Sequence, residues 1–304
     1  MSYKVQGDFT PVYELAISLK LYIDKKMIKN ADLGIDWYKR VSTVLDEEFK
    51  EYIVGFNEEA CCFSYLFLLI WLSPNKENVN EFLIWLKKLT PGEMYEKLSP
   101  IVDEALPNDL GKLRDVYVSL LSKWQNQYFT DIDPLIVETL QKNAQSITKA
   151  KITDSIEFVE KVSGGIRIPS FESLEKIILI PSYHQSPFIT YHRHQSIFLV
   201  FYSVDLPNDD SFAPSKALLR LAKAVSDENR LKILKKLTEG PKNFSSLLTG
   251  LEVSKSTVHH HIMALRSAGL ISVLVSEDCG HDEYILRSAG VDELAGYLKK
   301  YLSL

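Results

Sequence analysis

The sequence predicts a mainly α-helical protein with two domains, on three grounds: its length, its apolar content and the distribution of its helix and strand signals. The 304 residues are more than one small domain needs, and a hydrophobic content of 46% is enough for two packed cores. Helix signals fill residues 10 to 160 almost entirely, whereas β-rich runs begin only after residue 164. We therefore expect a helical domain with a small β-sheet over residues 1–205, a linker over 206–214 and a second domain over 215–304.

Two capped starts and one apolar stripe predict the helices of the first domain. Thr10-Pro11 and Asp133-Pro134 each place a capping side chain before a proline, a pair that opens many helices. Between them lies a stripe with the spacing of one helix face, made of Leu113, Val116, Tyr117, Leu120, Leu121 and Trp124. The apolar run from Ala60 to Leu72 is shorter than the roughly 20 residues that a membrane span needs, so it predicts a buried core helix.

Two β-rich runs predict the small sheet that closes this domain. They extend from Ile177 to Ile180 and from Ile197 to Val204, and prolines bound both of them. The polar, proline-bearing stretch from Asp205 to Ser215 then has the composition of a linker.

The elements of the C-terminal part follow one another in an informative order. Residues 216–226 and 228–238 predict two helices, residues 244–250 a short third helix, and Ser254 caps a fourth. The strands ISVLV and EYILR, joined by the turn SEDCGHD, predict a β-hairpin before a last helix at 291–302. This order is that of a winged helix-turn-helix, whose second helix of the pair enters the DNA major groove.

Three consecutive histidines lie in the middle of that fourth helix. Helical phase puts His261 at the edge of an inward face, where we expect it to pack, and lets His259 and His260 project toward a ligand. The inward face consists of Val258, Ile262 and Leu265, and the outward side of Ser256, His260, Met263 and Ser267. Neighbouring histidines that spread around a helix cannot ligate one ion, so we expect neither a metal nor a cofactor here.

Two segments resemble the ArsR-type winged-helix family of bacterial repressors. LAKAVSDENRLKILKKL carries an Asp-x-x-Arg-Leu-x-Ile-Leu pattern at Asp227, Arg230, Leu231, Ile233 and Leu234. VSKSTVHHHIMALRSAGLI matches the family's recognition helix at Ser254, Ser256, Thr257, Val258, His261, Leu265, Ala268, Gly269 and Leu270, with Ile262 in place of a leucine. The resemblance covers about residues 215 to 290 and implies a homodimeric transcriptional regulator that binds double-stranded DNA.

The chain departs from the family pattern at three places. Family wings tend to carry arginines at the tip, whereas the tip from Ser276 to Asp282 holds three acids, which repel phosphates. His259 replaces a small hydroxyl residue and Met263 stands where a basic residue is common, so a base preference does not transfer. The helix before the turn has no cysteine, so the thiolate metal sensor of some family members is missing.

From the residues and the resemblance we predict a cytoplasmic, bacterial-type transcriptional regulator that is not an enzyme and has no membrane partner. The residues predicted to contact DNA are Lys255, Ser256, Thr257, His259, His260 and Arg266, the last as either a contact with the DNA backbone or a plain surface charge.

The predicted dimer interface combines the apolar face of Val291 to Tyr301 with the helix around Leu218 to Val225. An effector of unknown identity is assigned to the N-terminal domain. Residues 215–304 carry 13 lysines and arginines against 10 acids, a net charge of +3, which leaves −8 for the rest.

Two other functions stay open at this point. The N-terminal domain could be an enzyme with an accessory winged helix, which a pocket of converging polar groups with shifted pKa values would favour. Alternatively, the winged helix is a protein-interaction module that has lost DNA binding, an idea that the acidic wing tip motivates. The glycines form neither a Walker loop nor a dinucleotide-binding fingerprint, which argues against a nucleotide-using enzyme.

The remaining histidines and the cysteines have ordinary interpretations. His192 and His194, near His184, could form a metal or acid/base site, but the absence of a carboxylate or cysteine at ligand spacing predicts a solvated or hydrogen-bonded strand edge.

Cys61 and Cys62 are predicted to be small buried hydrophobes, and Cys279 is predicted to be an exposed thiol whose acidic neighbours disfavour redox sensing. Three cysteines in this arrangement cannot form a disulfide framework, which fits a reducing compartment. The first ten residues, MSYKVQGDFT, lack the basic and then apolar layout of a signal peptide.

Overall fold

The computed structural model describes residues 3–54, 63–208, 210, 212–277 and 280–304. Over these residues the chain is mainly α-helical, with two small β-sheets. Cys61, Cys62 and Cys279 lie outside the described residues, and the predictions made for them therefore stay predictions. No helix in the described ranges is both long enough and apolar enough to cross a bilayer.

The first part of the chain begins with a short strand and continues through a long series of helices. These helices are α1 (Pro11–Ile23), α2 (Lys25–Ile28), α3 (Gly34–Val44), α4 (Glu47–Val54), α5 (Phe63–Leu72), α6 (Val79–Lys88), α7 (Pro91–Leu98), α8 (Leu110–Gln127), α9 (Pro134–Lys149) and α10 (Ser155–Ser163). The side chains of Thr10 and Asp133 cap α1 and α9 as predicted. The predicted stripe of α8 is buried apart from Val116, which is partly buried.

Four strands form a sheet that lies between two layers of helices. They are β1 (Lys4–Gly7), β3 (Lys176–Ser182), β4 (Thr190–Arg193) and β5 (Ile197–Ser203), in the order β1-β3-β5-β4. The pairs β1–β3 and β3–β5 are parallel, and β4 runs antiparallel to β5 at the edge. β1 was not predicted, because four residues with the sequence KVQG give no readable alternation.

Each face of this sheet supports its own apolar core. Ile178 and Phe201 point toward the core shared with α1, α5 and α8, whereas Ile177 and Val200 point toward the core shared with α9 and α10. Because successive side chains of a strand alternate between faces, a strand that is apolar throughout fits a sheet covered on both sides. The runs at β3 and β5 have this composition, and both strands are almost wholly buried.

The second part of the chain has the element order that the sequence predicted. It consists of α11 (Lys216–Val225), α12 (Glu228–Leu237), α13 (Phe244–Leu248), α14 (Lys255–Ser267), β6 (Ile271–Leu274), β7 (Glu283–Leu286) and α15 (Ser288–Tyr301). This is a winged helix-turn-helix, with α13 and α14 as the helix pair and β6–β7 as the wing. α15 begins one turn earlier than the predicted Val291, and α13 ends two residues before the predicted Gly250.

The wing continues a sheet that begins in the N-terminal part. The two-residue strand β2 (Ile166–Arg167) pairs in parallel with β6, with Ile166 opposite Val273. Val273 and Val275 belong to the same apolar core as Ile177 and Val200. The winged helix therefore packs directly on the N-terminal part, which a division of the chain by sequence signals alone does not reveal.

Candidate nucleic-acid interface

Helix α14 is built to present one apolar and one polar face. The Ser254 side chain caps its first turn by accepting a hydrogen bond from the Thr257 backbone N–H at 3.1 Å. Val258, Ile262 and Leu265 are buried in the core of the winged helix, as the helical phase predicted. Gly269, with φ of +70°, ends the helix in the left-handed conformation that favours glycine.

Five of the six residues predicted to contact DNA lie together on the first half of α14. Lys255, Ser256, His259 and His260 are exposed, and Thr257 is partly exposed. The Lys255 ammonium lies 5.8 Å from the ring centre of Phe244, and the Phe244 and His259 ring centres are 6.4 Å apart. This surface offers one cation for phosphates and four groups that can donate or accept hydrogen bonds at base edges.

His261 differs from its two neighbours, as the phase predicted. It is buried, and its Nδ1 lies 3.7 Å from Oδ1 of Asp227, the residue that caps α12. The hydrogen bond from the Arg230 backbone N–H is the main cause that holds the pKa of Asp227 below its usual value, and His261 contributes to this shift. His261 therefore joins α14 to α12 instead of facing a ligand.

The second half of α14 faces the N-terminal part, and here the sequence-based orientation was wrong. Met263, which helical phase placed on the open side, packs against the core that contains α1 and α5. Arg266, predicted as a DNA contact or a surface charge, is partly buried, and its Nη2 lies 3.5 Å from the Ile189 carbonyl oxygen. Helical phase identifies the side of a helix that faces its own core, but it cannot show that a distant segment covers the opposite side.

Side chains of the edge strand β4 hold the wing in place. The Tyr191 hydroxyl donates a hydrogen bond to Asp282, and the Arg193 guanidinium donates to the carbonyl oxygens of Ser276, at 3.1 Å, and Glu277. Asp282 also accepts a hydrogen bond from the Ser276 backbone N–H at 3.1 Å. One acid of the wing tip therefore has a structural role, since it binds the wing to the N-terminal part.

His192 lies on the edge strand β4 and His194 directly follows it, close to the predicted solvated or hydrogen-bonded strand edge; His192 is partly buried and His194 is buried and within hydrogen-bond distance of a serine. Burial is the main cause that lowers the pKa of His192 to about 3 and that of His194 to about 4. His192 packs between the rings of Phe67 and Phe201, and His194 Nε2 lies 3.3 Å from Ser64 Oγ. Within the described part of the chain, no group of three or more histidines, cysteines and acids could hold a metal ion.

A buried polar network, which no sequence pattern predicted, lies at the end of β3. Glu14 Oε1 accepts hydrogen bonds from the Tyr183 and His184 backbone N–H groups at 3.0 and 2.7 Å, and it lies 2.6 Å from His184 Nδ1. His184 Nε2 is 2.7 Å from the Tyr128 hydroxyl, which accepts a hydrogen bond from Trp37 Nε1 at 2.9 Å. Glu14 and His184 are almost fully buried, so these residues hold the fold together rather than meet a substrate. A single acid within the apolar helix α1 was the only sequence signal for this network.

Comparison with known proteins gives matches in the C-terminal part. Residues 227–273 match the model of the arsR family of bacterial regulatory proteins, which confirms the predicted resemblance over this segment. A solved structure of an ArsR-like transcriptional regulator from Rhodococcus sp. RHA1 is 29% identical, covers 29% of this chain and 80% of that chain, and has a TM-score of 0.26. A second solved structure, of a possible transcriptional regulatory protein (fragment 1–100) from Mycobacterium bovis, is 22% identical. The match covers 29% of this chain and 92% of that chain, with a TM-score of 0.23. No protein among the curated sequences matches this chain.

Proposed function

Because the C-terminal part of the chain is an ArsR-type winged helix-turn-helix, we propose that the protein is a transcriptional regulator that binds duplex DNA through the first half of α14. The single observation that carries this proposal is the exposed surface formed by Lys255, Ser256, Thr257, His259 and His260 on a capped, well-supported helix. A DNA-binding protein acts where the chromosome lies, so the proposal places this one in the cytoplasm.

The proposal separates residues that touch DNA from residues that orient α14. Lys255 neutralises a phosphate, and the hydroxyls and imidazoles beside it contact base edges or phosphate oxygens. Arg266 belongs to the contact with the N-terminal part and is no longer assigned to DNA. The wing contributes little to DNA affinity, since its tip is acidic and β4 holds it.

Replacement of Lys255 by glutamine should weaken binding to every duplex by a similar factor. The loss of one phosphate contact should reduce the slope of log affinity against log salt concentration by about 1, because one fewer counterion is released. Fluorescence anisotropy of labelled duplex fragments at several salt concentrations measures both quantities. Lys142→Gln on α9 is the matched control, since it removes an exposed lysine that lies outside α14 and pairs with Glu138 of its own helix. Equal slopes for the Lys255 and Lys142 variants would contradict the placement of DNA on α14.

We further propose that two copies of the chain pair through α15. This helix leaves apolar side chains exposed, with Val291 at 52% and Leu298 at 46% of their full accessibility, and the helix that packs against it, α11, leaves Leu219 exposed. A palindromic DNA site needs two reading helices about one turn apart, and a two-fold dimer supplies them. Leu218 and Leu221 of α11 are buried, and Leu221 belongs to the core of the winged helix, so α11 contributes mainly its outer face.

Leu298→Lys should weaken the dimer by at least about tenfold, because it removes roughly 2 kcal/mol of apolar burial per copy and adds a charge to the interface. Sedimentation velocity over a range of protein concentrations measures the monomer–dimer equilibrium. Leu231→Lys is the control, since Leu231 is equally exposed, at 48%, but lies on α12. A wild-type protein that stays monomeric at high concentration would refute the proposed pairing.

The proposal assigns no catalysis to the N-terminal part. The polar groups that converge there, Glu14, His184 and Tyr128, are enclosed by the fold, so an enzymatic role finds no support in their geometry. We propose instead that this part controls how α14 is presented to DNA, because it contacts both the second half of α14 and the wing.

A further inference from the structure

A cleft of about 590 Å³ separates the recognition helix α14 from the N-terminal part. Its walls are the end of α2, the segment from Pro187 to Thr190 at the start of β4, and the outward side of α14. Six apolar residues contribute to these walls: Met27, Pro187, Phe188, Ile189, Met263 and Ala264. The volume lies in the range of ordinary small-molecule sites, and the apolar walls suit a hydrophobic ligand body.

The charged residues that line this cleft have one sign. Lys26 stands on the α2 side and Arg266 on the α14 side, and no aspartate or glutamate occurs among the described lining residues. His259 and His260 complete the wall near the DNA-facing half of α14. A cleft with two fixed cations and no carboxylate attracts an anion.

Arg266 is poorly compensated in its present surroundings. Its Nε is inaccessible to solvent and has no hydrogen-bond partner among the described residues. Its terminal nitrogens make two long contacts, at 3.5 Å to the Ile189 carbonyl oxygen and at 4.0 Å to Met263 Sδ. Burial lowers the pKa of Arg266 by more than the nearby Tyr284, Tyr191 and Asp282 raise it, which agrees with a guanidinium that has lost water without gaining a direct ion pair. Buried charges in proteins are normally paired, so an unpaired one at a cleft indicates a missing partner.

We propose that the cleft between α2 and α14 binds a small molecule with an apolar body and one carboxylate or similar anionic group, which pairs with Arg266. The apolar body contacts Phe188, Ile189 and Met263, and Lys26 adds a second, more exposed positive charge at the rim. The bidentate geometry of a guanidinium suits a carboxylate, which supplies the hydrogen bonds that Arg266 lacks.

The ligand then acts on DNA binding, a step that rests on the proposed function. Because it contacts α2 and α14 together, it favours the arrangement in which the two are docked. In that arrangement His259 and His260, although exposed, also line the cleft, so a ligand bound there lies directly beside the surface proposed for DNA and leaves less room for a DNA groove on this side of α14. The anion should therefore lower the affinity for duplex DNA, and DNA should lower the affinity for the anion by the same factor.

The site is tested first on the full chain without DNA. 1-Anilinonaphthalene-8-sulfonate, a fluorescent probe with an apolar body and one anionic group, is bound to the protein and displaced by octanoate or by its neutral analogue octanamide. We expect octanoate to compete at least about tenfold better than octanamide, since a good charge-assisted pair is worth more than 1.4 kcal/mol. Equal competition by the two compounds would overturn the proposal.

Variants locate the site and keep the test independent of folding defects. Arg266→Gln should abolish the preference for octanoate, whereas Arg266→Lys should retain part of it because the charge remains. Ala264→Phe fills the cleft without a change of charge and should exclude both competitors. Lys29→Gln, on the exposed residue just after α2 and outside the cleft, is the matched control and should behave as wild type. A preference for octanoate that survives in Arg266→Gln would show that the anion binds elsewhere.

A second measurement separates this proposal from the proposed function. Octanoate at saturation should lower the affinity of the wild-type protein for duplex DNA by about fivefold or more, and it should leave the Arg266→Gln variant unaffected. DNA affinity that is indifferent to saturating octanoate would overturn the regulatory inference while DNA binding itself stands. Arg266-dependent octanoate binding by a protein that binds no duplex would support the anion site and refute the proposed function.

Discussion

Acidification from pH 7 to pH 5 should lower the free energy of unfolding by about 4 kcal/mol through His192 and His194 alone. Burial lowers the pKa of His192 to about 3 and that of His194 to about 4, whereas a histidine in the unfolded chain has a pKa near 6.5. Well above pH 6.5 both imidazoles are neutral in both states, and the full stability is present. As the pH falls from 6.5 toward 4, the unfolded chain takes up two protons that the folded chain does not, so stability is lost at about 1.4 kcal/mol per histidine and pH unit.

Urea unfolding at a series of pH values between 7 and 5 measures this effect. Carboxylates also titrate toward the acid end, so the informative quantity is the difference between the wild type and His192→Leu. That variant should lose about half of the pH dependence, and because His192 Nε2 has no hydrogen-bond partner, it should fold. Phe67→Leu, which loosens the packing around the same imidazole without removing a proton site, should lower stability equally at every pH. Parallel pH profiles of the wild type and His192→Leu would show that His192 is not a buried neutral base.

Glu14→Ala should cost about 3 kcal/mol or more of folding stability at neutral pH. The carboxylate accepts hydrogen bonds from two backbone N–H groups and lies within hydrogen-bond distance of His184 Nδ1, at 2.6–3.0 Å and away from solvent. Without it, several buried donors at the end of β3 lose their acceptor, and each unsatisfied group costs roughly 1–3 kcal/mol. The loss extends along the network, since His184 in turn holds the Tyr128 hydroxyl.

Chemical denaturation of three variants tests this prediction. Glu14→Gln keeps an acceptor oxygen at the same distance along the side chain and should cost clearly less than Glu14→Ala. Glu138→Ala, which removes an exposed glutamate on α9, should stay within about 0.5 kcal/mol of the wild type. A Glu14→Ala protein as stable as the Glu138→Ala control would mean that water replaces the carboxylate at no cost.

The sequence predicted the winged helix closely because each of its elements has a strong local signal. Ser254 and Asp227 cap helices whose apolar periodicity is clear, and the β-hairpin has turn residues between two β-rich runs. The two strands β3 and β5 were predicted for the same reason. β1 and β2 were missed, because strands of four and two residues owe their existence to partners far along the chain. Such pairings leave no pattern in their own sequence.

The candidate site was predicted only as far as the module could be treated alone. Helical phase correctly separated His261, which is buried, from His259 and His260, which are exposed. Helical phase failed for Met263, and Arg266 is partly buried instead of an exposed surface charge, because residues 187–190 and the core around α1 and α5 lie against this part of α14. The acids of the wing tip argued against contact with DNA already at the level of the sequence. The structure gives one of them, Asp282, a different role, since it accepts a hydrogen bond from the Tyr191 hydroxyl.

The salt dependence of DNA binding by the full chain tests the central claim most directly. Anisotropy titrations of labelled genomic fragments from about 50 to about 200 mM salt should give a linear fall of log affinity with log salt, with a slope of about −0.9 for each phosphate neutralised. We predict measurable binding at the low end and a slope that corresponds to several phosphates. An absence of binding at low ionic strength, or an affinity that salt leaves unchanged, would contradict a role for α14 in reading DNA.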